Sequence, residues 1–386
     1  MTPVPGHDVS AVLSIFFDLA GIDSESGKEG NASLFIKDFC SALGLEVHED
    51  DAGLLTGGEC GNLVIKAPAT SGCLSVDRII LNAHMDTVPP GTGVVPIDDD
   101  DRFRTAGETI LGADDKVGVA AILATLEHVT RSGEEHRGID AVITVQEEPG
   151  LLGAKNLDFS LLEGDWGVVL DGSGPVGGII MEAPGQYRLK FEVRGRSAHA
   201  GVEPEKGINA ISCAAEAISG LDLGRLDPQT TANIGLIEGG RAVNIVPDLV
   251  VVEGEIRSLS EGRLEEERER MVEQFKQVAG SRGCGLGLEV ERSFHGFKLD
   301  PDAKPVQHLL KAMRMCGVEP DLITSGGGSD ANVFNVRGIT AATMNIGLVN
   351  AHSQQEYVLK EDLVTVTRIV SSLVSMTYDE QGVGQP

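Results

Sequence analysis

A chain of 386 residues, 41% of them apolar, has material for two domains and a sizeable core. Its 31 basic and 59 acidic residues leave a formal charge of −28, which excludes a nucleic-acid partner, because phosphate binding needs basic stripes. No uninterrupted apolar stretch approaches the ~20 residues that span a bilayer, so no membrane partner is expected.

The N-terminal "MTPVPGHDVSAVLSIFFDLAG" lacks the basic start of a signal peptide, and its apolar spacing is that of an amphipathic helix. Helical spacing covers 9–20 and 32–43. Strand-like apolar runs follow at 62–66, 78–83, 141–146 and 166–170, with a helix at 116–130 between the second and third. This alternation predicts an α/β fold built on a parallel or mixed sheet covered on both faces. From about 185 the rhythm changes to strand 187–194, helix 207–219, strands 231–237 and 249–256, helix 263–279 and strand 288–292. That order, β-α-β-β-α-β, is the split βαβ or ferredoxin-like arrangement, and it reads as a compact inserted domain. The α/β pattern then resumes with helix 305–316, the glycine loop "SGGGSDAN", strand 340–346 and a last helix at 360–377. The expected division is therefore 1–184, an inserted domain at 185–294, and 295–386. Six scattered cysteines form no CxxC pair, which predicts reduced thiols and a cytoplasmic protein.

Ligands of open α/β sheets gather outside the carboxyl ends of the strands. Here those ends carry "NAHMDTVPPG" with His84 and Asp86, "QEEPG" with Glu147 and Glu148, "DGSG" with Asp171, and "NAHSQQEY" with His352. The string "GADDKVG", with Asp114 and Asp115, enters a helix on the same side. Either aspartate could simply cap that helix, since carboxylates favour the unsatisfied N–H groups of a first turn. Five such coincidences point instead to metal. Imidazole and carboxylate donors without cysteine are the set of a catalytic zinc site. They outnumber the three protein ligands that one catalytic zinc takes, so two metals sharing a carboxylate account for the count. A spare carboxylate, Glu147 or Glu148, is left to act as general base.

These strings, with "QEEPGLLGAKNL", "GRSAHAGVEPEKGINAI", "EGGRAVNIVPD" and "GGGSDANVFNVRG", resemble nearly end to end the zinc exopeptidase family of peptidase T, carboxypeptidase G, carnosinase and aminoacylase, the peptidase T-like branch above all. The resemblance implies a mixed-sheet catalytic domain with an inserted lid and dimerisation domain, a homodimer formed through that domain, and two Zn2+ ions, with Co2+ or Mn2+ as substitutes. It implies His84 and Asp171 on the first metal, Glu148 and His352 on the second, and Asp114 shared and joined to Asp115 by a cis peptide. Asp86 would orient the His84 imidazole, and Glu147 would be the general base. In the inserted domain, His199 would stabilise the oxyanion in the partner's site and Arg257 would hold a substrate carboxylate. Asn244 is a further candidate contact that a turn asparagine explains equally well. Aspartate at 171 matches the family's aminopeptidases and dipeptidases, which favours short peptides with a free amino terminus. Gly326 stands where tripeptidases of this type carry arginine in "RGGTDG", so one expected carboxylate anchor is missing. A carboxypeptidase or N-acyl amino acid deacylase is the alternative within the family, and a non-catalytic peptide-binding relative would have no need of Glu147.

Overall fold

The computed structural model describes residues 9–375, so residues 1–8 of the N-terminal reading and the last two positions of the expected final helix lie outside the described residues. Among the described residues the chain divides into two compact units, one of 9–181, 298–324 and 329–375, the other of 182–297 with 325–328. The glycine loop thus packs with the inserted unit, whereas the sequence pattern predicts it in the last segment. The reason is local. A Cβ on Gly328 would lie 2.5 Å from the Phe294 ring, and the Ser325 N–H donates to the Glu182 carbonyl.

The first unit is built on a nine-stranded mixed sheet. Its centre is parallel, in the order Ile139–Thr144, Ile79–His84, Trp166–Ser173 and Thr340–Leu348. The first two are buried at every position and the other two at nearly every one, as strands covered on both faces must be, which explains why they read as apolar runs without alternation. Antiparallel strands flank them, Leu63–Ala67 and Glu46–Glu49 on one side and Gly178–Ala183 on the other. Helices Val9–Ala20, Ala113–Ser132, Lys304–Met315 and Lys360–Ser375 pack together and on this sheet. A separate small sheet of Pro96–Asp98, Arg102–Thr105 and Tyr357–Leu359 escapes the sequence reading, because three or four residues are too few to show a period of two.

The second unit is a five-stranded antiparallel sheet with helices Ala210–Ser219 and Glu261–Arg282. Four strands take the predicted β-α-β-β-α-β path, and Gly224–Asp227 adds a fifth as the outer arm of a hairpin with Thr230–Gly239. The longer helix starts at Ser260, whose side chain accepts the Arg263 N–H, a cap worth about 1 kcal/mol. It ends at Gly283 in the left-handed region. Its buried stripe, Leu264, Met271, Phe275 and Val278, meets the inner face of the sheet, where Phe275 stacks on Phe191 with ring centroids 3.8 Å apart. Among the described residues no helix is long and apolar enough to cross a membrane.

Candidate metal centre

The four parallel strands and the start of helix Ala113–Ser132 deliver five potential ligands to one place. Strand Ile79–His84 ends on a buried His84. Asp171 lies in Trp166–Ser173, while Glu148 and His352 follow the ends of their own strands. Two clusters result, His84–Asp114–Asp171 and Asp114–Glu148–His352, with the potential ligand atoms of each within 4.8 Å of one another. Asp114 belongs to both. Its Oδ1 lies 3.3 Å from His84 Nε2, and its Oδ2 lies 3.1 Å from His352 Nε2. His84 Nε2 is 3.7 Å from Asp171, and His352 Nε2 is 2.9 Å from Glu148.

The two adjacent aspartates divide their work. Their peptide is cis, and neither has helical dihedral angles. Asp114 faces the clusters, whereas Asp115 turns inward. Its Oδ1 accepts the Gly118 N–H three residues on, as a helix cap does, and its Oδ2 accepts the backbone N–H of His84. The metal and cap readings of "ADDK" therefore describe different residues of one pair.

Buried carboxylates fix the loops that carry the cluster residues. His84 Nδ1 is held by the Asp86 carbonyl at 2.9 Å, with the Asp86 carboxylate at 3.4 Å. That leaves Nε2 facing the cluster. The Asp86 carboxylate mainly organises the next strand's loop, accepting the N–H groups of Glu147 and Glu148 and the Ser26 hydroxyl. Glu29 accepts the Gln146 and Gly27 N–H groups, and Asp330 accepts from Thr144 and Asn82 beneath the two strand ends. Glu356 accepts from Leu111, Gly112 and Asp114. Glu29, Asp330 and Glu356 escape the sequence reading. Their partners are mostly backbone N–H groups, which leave no trace in residue identity. The available signal is acidic residues in strings that border the strand ends.

Crowding this much charge out of water displaces several titrations. Burial, then Asp171, holds the Glu147 carboxyl well above the usual carboxylate range, and burial pushes Asp171 up to about 7. His352 is raised to about 10 by Asp114 and Glu148. Burial works against the His84 cation, but Asp114, Asp171 and Asp86 overcome it and raise its pKa. Asp114 is likewise opposed by burial, yet the two imidazoles hold its pKa low. The group is thus a set of anions balanced by borrowed protons. Metal ligands must give up such protons when a cation binds.

The residues fit a pair of divalent cations. Asp114 Oδ1 and Glu148 Oε1 are buried without an aligned hydrogen-bond donor among the described residues, which is costly unless a cation takes their lone pairs. The donors are oxygen and imidazole nitrogen with no thiolate, a set that suits zinc, cobalt or manganese. Glu147 is buried beside them and belongs to neither cluster. His352 is the exposed member, in the left-handed region at φ 62°, so the site has one open lip.

The remaining candidates lie in the inserted unit. His199 is exposed, with its Nδ1 accepting the Gly201 N–H, and it sits in a bridge opposite Ile245. Exposed Asn244 is on that same facing segment, its carbonyl accepting the Ala200 N–H. Arg257 lies on strand Leu249–Ser258, its guanidinium forked on Glu255 at 3.0 and 3.1 Å. The arginine expected to face a substrate carboxylate is thus paired with a carboxylate of its own strand.

Two family models match separate parts of the chain, a peptidase dimerisation domain over residues 182–282 and peptidase family M28 over 62–160. The uncharacterised protein YqjE of Bacillus subtilis is 41% identical over 94% of this chain and 97% of its own length. The crystal structure of aminopeptidase PepT from Bacillus cereus superposes with a TM-score of 0.84 at 38% identity, covering 96% of this chain and 98% of that one. A tripeptidase from Staphylococcus aureus gives 0.89 at 37% identity, with the same coverage.

Proposed function

This chain belongs to the peptidase T-like family of zinc exopeptidases, and on that premise we propose that it removes the N-terminal residue from short peptides as a co-catalytic dizinc aminopeptidase. The observation that carries the reading is Asp114, shared between two three-residue clusters, with an uncommitted buried carboxylate, Glu147, beside them. The B. cereus aminopeptidase and the S. aureus tripeptidase support the same direction of attack. In this reading His84 and Asp171 would hold one metal, Glu148 and His352 the other, and Asp114 would serve both. The chemistry supplied by the bound pair is a water of lowered pKa and a polarised substrate carbonyl.

The protein supplies the rest. Glu147, whose pKa is raised by burial, takes the proton of the attacking water and hands it to the leaving amine. Asp86 keeps Glu147 and Glu148 in register through their backbone N–H groups while its carbonyl orients His84. His199, exposed on the inserted unit, donates to the carbonyl oxygen of a substrate in a partner subunit as charge develops there. Asn244, on the facing segment, is a second contact of the same kind, and Arg257 takes the substrate carboxylate on exchanging its fork from Glu255. A homodimer through the inserted unit is supported by the dimerisation-domain match and by exposed Val202, Leu236, Ile237 and Val243 on that unit. Six cysteines without a disulfide favour a cytoplasmic location.

The test is hydrolysis of di-, tri- and tetrapeptides with free or acetylated N-termini by zinc-reconstituted protein, with a chelated control. Chelator-sensitive cleavage confined to free N-termini is expected. Cleavage of the acetylated series alone would make the chain a deacylase or carboxypeptidase instead.

A further inference from the structure

We propose that Glu356 is a positioning residue for the shared ligand, holding Asp114 and His352 in one frame and so setting the affinity of the second metal position more strongly than that of the first. The proposal rests on Asp114 being a ligand of both metals. Its basis is a convergence of donors. The N–H groups of Leu111 and Gly112 reach Glu356 Oε2 at 2.8 Å each, and the N–H of Asp114 reaches Oε1 at 3.2 Å. Gly112 stands at φ 72°, so the backbone turns its amides to one side and forms a small nest for an anion. Glu356 fills that nest and is only 1% exposed.

The same carboxylate belongs to the loop that carries His352. Val349 and Tyr357 exchange backbone hydrogen bonds at the base of this loop, and the Glu356 N–H donates to Ser353 within it. Tyr357–Leu359 then pairs with Arg102–Thr105. Glu356 is therefore the clasp between two chain segments 242 residues apart, one ending in Asp114 and the other bearing His352. Both of its oxygens are taken by backbone N–H groups, and it belongs to neither cluster. It acts on metal only through the residues it holds.

The two positions depend on this clasp unequally. Two of the three members of the Asp114–Glu148–His352 cluster hang on it. In the other cluster His84 is fixed independently, by the Asp86 carbonyl and by Asp115, and Asp171 is fixed by its own strand. Loosening the clasp moves His352 away from Asp114 Oδ2 and leaves the His84–Asp171 pair in place.

The experiment is calorimetric titration of the chelator-stripped full-length protein with Zn2+, comparing wild type, Glu356→Gln and Glu356→Asp. The Gln variant keeps the size but turns one acceptor oxygen into an amide donor facing backbone N–H groups. Wild type should bind two ions per chain. Glu356→Gln should bind the second ion about 10–100-fold more weakly, the range found for residues that orient metal ligands, and the first with a clearly smaller loss. Glu356→Asp, which keeps the charge but is shorter, should fall between them, and it decides the matter if the Gln variant does not fold. Turnover of the Gln variant on a free tripeptide should recover at high Zn2+ with KM unchanged. Two native-affinity sites in both variants, or equal weakening of both sites, would overturn the proposal while leaving the dizinc reading intact. A wild-type protein that binds fewer than two ions would overturn both.

Discussion

The two ends of the central sheet hold histidines with opposite fates. At the carboxyl end His84 is ringed by Asp114, Asp171 and Asp86, and its pKa is raised. At the amino end His308 lies against Trp166, the first residue of its strand, with ring centroids 4.5 Å apart. Around it are cations. The Arg137 guanidinium sits 5.3 Å from the Trp166 ring and the Lys304 ammonium 5.7 Å. Asp77, just ahead of strand Ile79–His84, pairs with both. Burial, reinforced by Arg137, Lys304 and Lys311, pushes His308 down to about 4. A histidine drawn out of water beside a sheet end is therefore no sign of a metal by itself. The charge of its neighbours decides whether it is a donor waiting for a cation or a neutral, half-buried ring.

The comparison predicts that substitutions at the carboxyl end cost turnover, while those at the amino end alter stability. Glu147→Gln has the largest expected effect. It should lower kcat on a free tripeptide by about 10²–10⁴-fold, the contribution typical of a general base, with metal content and melting temperature near wild type. A fall in metal content alongside kcat would instead make Glu147 a ligand and erase its separation from the clusters.

His308→Gln is the smaller effect. A histidine whose folded pKa lies below its ordinary value of 6.5 makes the unfolded chain bind more protons between those two values. Its contribution to stability is thus complete above pH 6.5 and is lost as pH falls toward 4. Melting curves should show the wild type losing more stability than His308→Gln between pH 7 and pH 4.5, about the flanks of that window, with turnover at pH 7.5 unaffected. Parallel losses would mean that His308 is not held neutral.

Much of this pattern is legible in the sequence, and the illegible part has a physical pattern of its own. Strands Ile79–His84 and Ile139–Thr144 are buried along their whole length and announce themselves as apolar runs that break into polar strings. His84, Asp114, Glu148, Asp171 and His352 are readable because they sit in or near those breaks. Glu356 and Glu29 are not, since each serves backbone N–H groups that every residue type offers. The Glu255 fork on Arg257 is hidden because the partners lie two apart on one strand, where alternation places them side by side without marking a bond. The Ser325–Gly328 loop joins the inserted unit through the approach of Gly328 to Phe294, a contact that links distant parts of the chain. Sequence patterns report burial well. They report hydrogen bonds to backbone hardly at all.

The measurement that tests the central claim most directly is the zinc content of the reconstituted wild-type protein at saturation, read with its chelator-sensitive turnover of a free tripeptide. Two ions per chain, with turnover lost on chelation and restored by Zn2+, is the predicted result. One ion at full turnover would contradict it, because Asp114 would then have no second metal to share.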